Sequence, residues 1–386
     1  MIRQLKKFLA KISHDGSCRH DRAALLVRDD QLLKAGPEDL CALGQDLLQR
    51  LNIVALVIGE PQVPFHHLYL LRLAPDVNQI VPLDTETRTF LHDIPLVRKR
   101  DGRIDTAEVA EQLGRRKGVL VEGLGVVAAG TATVEQAYVN FSTVYHALFI
   151  GYLLQLLQDP PRHDEMEQLR PLLNRLGSPI PEHVEDLLVG PFVDQGAVRK
   201  AIEQTGRRTV DLHLVDSFFG NISCHLNQQI LISQTGASLD ELDGSIDPVA
   251  DDNSSTAGLT ASSELPAHRA IYETGGAAVI LHGHPKFTVV MSLLCDDQEC
   301  AVNDCWKECP HIRYLGDVPV VAGEVGAGGI AKTLPPVMAQ GIAVVYGHGA
   351  FAAGRTDYRQ PLRALIELEN WCRREYLRRL DQSVLL

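Results

Sequence analysis

The stretch Ser262-Ser263-Glu264-Leu265-Pro266-Ala267-His268-Arg269-Ala270-Ile271-Tyr272, followed by Ala277-Ala278-Val279-Ile280-Leu281-His282-Gly283-His284-Pro285-Lys286-Phe287, decides how this chain is read. Ala277 to Leu281 is a short apolar run rich in β-branched residues, the length of a buried strand. It ends on His282-Gly283-His284. Alternate residues of a strand point to one side, so the two imidazoles converge. Gly283 between them allows backbone or ligand to come close. Pro266 to Thr274 reads as a short helix, capped by Ser262 or Ser263, with Glu264 in its first turn. Two imidazoles and a nearby carboxylate need one more ligand for a catalytic zinc site. Gly341-Ile342-Ala343-Val344-Val345-Tyr346 is a second buried-strand pattern, running into Gly347-His348-Gly349. His348, between two glycines at a strand end, is the candidate third ligand. Alone, a His-x-His pair is more often polar surface than a metal site, so the surrounding motifs decide.

Five segments resemble, in order and spacing, the class II aldolase/adducin family. They are Gly220-Asn221-Ile222-Ser223, Ile230 to Gly236 with Leu239-Asp240-Glu241-Leu242, Ser262 to Pro266, His282 to Pro285, and Tyr346 to Thr356. The resemblance covers about residues 195 to 380. It implies an α/β fold of three layers, αβα, around a mostly antiparallel sheet. It implies a zinc-dependent carbon–carbon lyase (an aldolase) acting on a small phosphorylated sugar through an enediolate. It further implies zinc on His282, His284 and His348, proton transfer by Glu264, and substrate phosphate at Asn221, Thr235, Gly236, Ser262 and Ser263. Clustered hydroxyls and N–H groups at turns and a helix start suit an anion on their own account. Plain turn and cap chemistry is the alternative for these five, a favourable charge at a helix N-terminus for Glu264. His268, one turn on, reads as a packing residue. Competing functions are a sugar-phosphate epimerase or dehydratase of the same family, a non-catalytic adducin-like interaction protein, and a metal-binding regulatory protein. Family members are often oligomers, so a homo-oligomer is expected.

The first half echoes the second. Residues 20–44 read strand, turn, strand, turn, helix, as do residues 225–239 and beyond. Gly118 to Thr131 parallels Ala343 to Thr356, and both precede a long helix, Val134 to Leu157 and Gln360 to Leu380. Such self-similarity predicts a tandem of one fold. The expected organisation is a degenerate, metal-free copy at 1–158, a helical connector at 159–195 and a catalytic copy at 196–386. Matching His67-Leu68-Tyr69 with His268-Arg269-Ala270 and, one gap later, Val81 with Leu281 puts Pro82 and Asp84 opposite His282 and His284. The later strand-end parallel puts Leu124 opposite His348, and the helix match puts Val63 near Glu264. Pro and Leu cannot hold zinc.

With 386 residues, two compact units are natural, and 45% hydrophobic content supplies ample core. A formal net charge of −12 argues against nucleic acid and acidic membranes as partners. No apolar run is long enough to predict a membrane span. Met1 to Ala10 is amphipathic and lacks a cleavage-site pattern, and eight cysteines suit a reducing compartment, so a cytoplasmic location is expected. Half of the cysteines cluster at Cys295, Cys300, Cys305 and Cys309, with His311 alongside. A closed zinc site or an iron–sulfur cluster is expected there, the alternative being a reduced, metal-free loop. Residues 249–262 read as a loop over the pocket. Asp317 to Gly329 reads as a strand and connector in which Glu324 is a candidate pocket residue.

Overall fold

The computed structural model describes residues 1–14, 17–61, 65–216, 218–295, 297, 300, 302, 304–309, 311–323 and 328–384. Val63 and Glu324 lie outside the described residues. The chain divides into two compact units, Met1–Leu172 and Leu173–Leu386.

The first unit runs α1 (Ile2–His14), β1 (Cys18–Arg28), β2 (Leu32–Ala35), α2 (Glu38–Arg50), β3 (Ala55–Pro61), α3 (Phe65–Arg72), β4 (Gln79–Ile80), α4 (Thr85–Leu91), β5 (Ile94–Val97), α5 (Thr106–Leu113), β6 (Gly118–Val121), β7 (Gly125–Gly130) and α6 (Val134–Gln158). Helix α7 (His163–Gly177) crosses the division. The second unit continues with α8 (Gln195–Asp211), β8 (Asn221–Leu226), β9 (Gln229–Ser233), β10 (Ile246–Ala250), α9 (Leu265–Glu273), β11 (Val279–Gly283), α10 (Lys286–Ser292), β12 (Arg313–Leu315), β13 (Val318–Val321), α11 (Ile330–Thr333), β14 (Ile342–Val345), β15 (Gly349–Gly354) and α12 (Arg359–Val384).

The sheets share one topology. The first has the order β2-β1-β3-β7-β6-β5-β4, the second β10-β9-β8-β11-β15-β14-β13-β12. With β10 as an added edge, each strand of one has its counterpart in the other. Each sheet is antiparallel except for one parallel pair, β5–β6 and β13–β14. Helices cover both faces, giving the expected three layers twice. In the second unit, α9 and α11 pack with Ile280, Phe351, Ala343 and Val345 on one face. A side chain added at Gly283, which points the other way, would touch Leu365 of α12. In the first unit, α2 and α5 join Ile58, Val119 and Val127. A side chain at Gly59 would meet Phe141 of α6 on the opposite face.

The shared pairing fixes which residues correspond. Gly349 pairs with Val345, and Phe351 with His282; Gly125 pairs with Val121, and Val127 with Ile58. The counterpart of His282 is therefore Ile58, and that of His284 is Glu60. This corrects the match to Pro82 and Asp84: Asp84 instead caps α4 through the Thr87 N–H. The error came from aligning α3 with α9, whereas α3 follows its strand as α10 does. Leu124 does stand opposite His348, and Ala24, which pairs with Ile58, opposite Asn221. Ala24, Ile58 and Leu124 all belong to the packed core of the first unit. Glu60 instead meets Arg22 at 3.3 Å, and Arg22 also meets Asp39 at 2.8 Å. The polar centre of one unit is aliphatic filling in the other. Truncating Ile58→Ala should lower stability by about 2–4 kcal/mol, read from urea unfolding. No measurable change would mean that this position is not packed core.

Candidate functional site

The site lies where β11 ends. His282 and Asn221 are paired across β11 and β8 and share the α9 face of the sheet. His284 continues the alternation past the strand end. His348 arrives from the turn between β14 and β15, closed by its N–H to Val345 O at 3.1 Å. Gly347 enters this turn at φ 59°, and its N–H donates to Ser292 Oγ at 2.9 Å. Glu264 stands at the N-cap position of α9, not within its first turn, and makes no side-chain cap. Ser262 Oγ accepts the Glu264 N–H instead, at 3.3 Å. The carboxylate is thereby turned inward.

The donor atoms of His282, His284 and His348 all lie within 4.8 Å of one another, and all three residues are buried. His282 Nδ1 donates to Ala350 O at 3.0 Å, which leaves its Nε2 lone pair facing the cluster. His284 Nε2 lies 2.8 Å from that atom. Glu264 Oε1 is 2.8 Å from His348 Nε2, and Oε2 is 3.3 Å from His282 Nε2. Packing holds the rings. His282 lies between Phe351, stacked at 3.8 Å, and His348, stacked at 5.1 Å. Phe219 stacks parallel on His284 at 5.5 Å. Glu369 of α12 accepts the N–H groups of Phe287 and Thr288 at 3.1 and 2.9 Å, pinning α10 just after His284-Pro285.

Burial acts on every charge here. It raises the Glu264 carboxyl, but the electrostatic pull between Glu264 and His282 and the hydrogen bonds from His348 and Asn221 favour the ionised carboxylate and hold Glu264 well below the usual carboxylate range. Burial pushes His282 down to about 4, against the pull of Glu264. It pushes His268 down to about 3. Neutral imidazoles beside an ionised carboxylate are the donor set zinc takes, so the residues fit a tetrahedral N₃O or open N₃ centre.

The five expected anion residues fall into two groups. Gln234 bridges Ala261, Thr235 N–H donates to Thr260 O at 3.0 Å, and Ser262 N–H donates to Ser233 O at 3.0 Å. Thr235-Gly236 and Ser262-Ser263 therefore lie on adjacent segments. Gly236 has φ 70°, with open space where a side chain would be, and Ser263 is exposed. The Thr235 hydroxyl is turned back to Ala261 O at 2.9 Å. Asn221 is buried, and its amide joins Glu264 and His268 at 2.5 Å each. His268, expected as packing, is thus hydrogen-bonded into the site. The signal was its spacing: four residues after Glu264, on the same helix face. Residues 249–262 hold the end of β10 and a loop that contains one short 3₁₀ turn, Thr256–Leu259.

The cysteine expectation fares differently. Cys295 is exposed, and Cys300, Cys305 and Cys309 are half-buried. The Cys305 and Cys309 thiols donate to the backbone carbonyls of Val302 and His311 at 3.5 and 3.3 Å. Among the described residues, such donors converge at the imidazole triad, and the four thiols form no comparable group. Burial raises the Cys305 thiol, which nevertheless lies close enough to Cys309, Cys300 and Cys295 to feel their charges, and these raise it further.

Two outcomes follow from this geometry. A methyl group at Gly349 would lie 2.4 Å from Gly283 O, 2.9 Å from His284 Cδ2 and 3.0 Å from His282 Cε1. Gly349→Ala should therefore displace the triad and weaken the binding of added zinc by about tenfold or more in a chelator competition. Unchanged affinity would show that the triad tolerates displacement. In the unfolded chain, His268 and His282 take up protons below about pH 6.5, while in the folded chain they resist to about 3 and 4. The unfolded state binds more protons in that window, so metal-free stability should fall as pH drops from about 6.5 towards 4. A melting temperature flat across this range would contradict the burial of neutral rings.

The sequence matches the Class II Aldolase and Adducin N-terminal domain over residues 65–150 and 200–376, together more than half of the chain. The first segment falls in the first unit and the second in the second. Among solved structures, the chain is similar to l-fuculose-1-phosphate aldolase from Thermus thermophilus, at 23% identity over 49% of this chain and 98% of that one, with a TM-score of 0.39. It is similar to YgbL, a putative aldolase/epimerase/decarboxylase from Klebsiella pneumoniae, at 25% identity over 48% and 91%, with a TM-score of 0.40. For YgbL from Escherichia coli the values are 21%, 47% and 89%, with a TM-score of 0.39. No curated protein matches the chain.

Proposed function

Because the chain belongs to the class II aldolase and adducin family, we propose that its second unit is a zinc-dependent carbon–carbon lyase acting on a small phosphorylated sugar. The observation that carries this reading is the convergence of three buried imidazoles with the Glu264 carboxylate between two of them. His282, His284 and His348 would hold the metal. When bound, zinc supplies Lewis-acid polarisation of the substrate carbonyl. Glu264 moves the proton. In the condensation direction its ionised carboxylate removes a proton from the carbon next to the ketone; in cleavage the same proton is returned. Gly236, Ser262 and Ser263 offer hydroxyls and backbone N–H groups to the substrate phosphate. Beside them stand Thr235, whose hydroxyl and N–H are held by Ala261 O and Thr260 O, and the second amide N–H of Asn221. The stacked Phe219 and Phe351 rings shield the imidazoles from water.

The first unit is the metal-free copy. Ile58 and Leu124 offer no ligand atoms, so it has the fold without the chemistry. This contrast also weighs against a purely adducin-like role for the second unit, which keeps every polar group that the first has lost.

The test is a screen of ketose and aldose phosphates for aldehyde release, with epimer formation read in parallel, with and without chelator. Cleavage that stops on chelation and returns with zinc is expected. Glu264→Gln should lower kcat by about 10²–10⁴-fold while zinc stays bound. Full activity in the chelated protein, or in Glu264→Gln, would overturn the reading. Epimer formation without net cleavage would move the assignment to an epimerase on the same residues.

A further inference from the structure

Behind Glu264 the buried side chains form a chain of hydrogen bonds. Tyr272 Oη lies 2.7 Å from Ser223 Oγ, and Ser223 Oγ lies 2.6 Å from His268 Nδ1. His268 Nε2 lies 2.5 Å from Asn221 Oδ1, and Asn221 Nδ2 lies 2.5 Å from Glu264 Oε2.

Donor chemistry gives this chain one direction. An ionised carboxylate only accepts, so the amide must turn its NH₂ towards Glu264. Asn221 Oδ1 then faces His268, and because it also only accepts, His268 Nε2 must carry the hydrogen. A neutral ring with Nε2–H has a bare Nδ1, which takes the Ser223 hydroxyl hydrogen. Ser223 Oγ in turn accepts from Tyr272. Every donor points towards the carboxylate, and each link fixes the next. Ser223 and His268 are fully buried, so solvent offers them no alternative partner.

The first unit supplies the control. Its strand pairing puts Ala24 at the place of Asn221 and Leu26 at that of Ser223. Aligning α2 and α9 at their N-cap residues, Pro37 and Glu264, puts Cys41 at the place of His268. Ala24, Leu26 and Cys41 all lie in the apolar core cluster. The same fold is thus built without the chain, and the chain is missing where the imidazole triad is missing. Packing alone does not call for it.

We infer that His268 is a positioning residue, which as its Nε2–H tautomer orients the Asn221 amide and through it holds the Glu264 carboxylate against the ring nitrogens of His282 and His348. This deepens the lyase reading and rests on it for the catalytic consequence alone.

Long-range ¹H–¹⁵N NMR of the histidine rings in the full chain reads the tautomer directly. His268 should show Nε2–H, uncharged, from pH 5 to pH 8. A Nδ1–H ring, or one that takes up a proton within that range, overturns the inference. Zinc affinity, measured by chelator competition, should fall about tenfold in His268→Leu. It should recover in His268→Gln, whose amide can donate to Asn221 Oδ1. Equal loss in both variants, or loss in neither, overturns the inference. Should His268→Leu fail to fold, the tautomer of the unmodified chain still decides. With a substrate in hand, His268→Leu should lower kcat while leaving KM within about twofold. If no phosphosugar is cleaved at all, the lyase reading falls, while the tautomer and zinc affinity still judge His268.

Discussion

The contact between the Glu264 carboxylate and the His282 and His348 rings governs the second unit. A charge buried this deeply is tolerated only when its partners are fixed in advance. Much of the surrounding architecture answers that demand. The His282 ring is set by Ala350 O and by two stacked rings. The loop after His284 is anchored by Glu369. The tight turn at Gly347 brings His348 back over the sheet. Each device removes a degree of freedom that would otherwise let the cluster relax apart.

Much of this was legible in the sequence, because it rests on local geometry. His282 and His284 two apart on a strand share a side, and His348 between two glycines marks a strand-end turn. The helix and strands of residues 20–44 follow from periodicity and turn residues. What escaped was set at long range. Asn221 reads as a turn residue suited to an anion, yet the sheet pairs it with His282 and buries its amide. His268 reads as one more inward residue of an amphipathic helix until Ser223 and Asn221 are seen beside it.

The repeat shows the same limit. The last strand pair of the first unit matches the second with Leu124 opposite His348, in a register that sets Gly118 against Ile342 rather than Ala343. The earlier segments differ in loop length, and matching His67 with His268 slipped past a whole element. Only the ladder from Ile58 to Val127, and from His282 to Phe351, restores the register. Pairing between strands is a more dependable ruler than residue likeness once loops have drifted.

The aliphatic filling of the first unit has a consequence for how this scaffold can be treated. The chain carries its own blank: a matching order of seven strands in which Asn221, Ser223, His282 and His348 have apolar counterparts compatible with the fold. Ala24, Leu26, Ile58 and Leu124 are therefore a ready-made recipe for silencing the other half without wrecking its sheet. Read backwards, they name the few positions where chemistry could be written into a framework that stands without it.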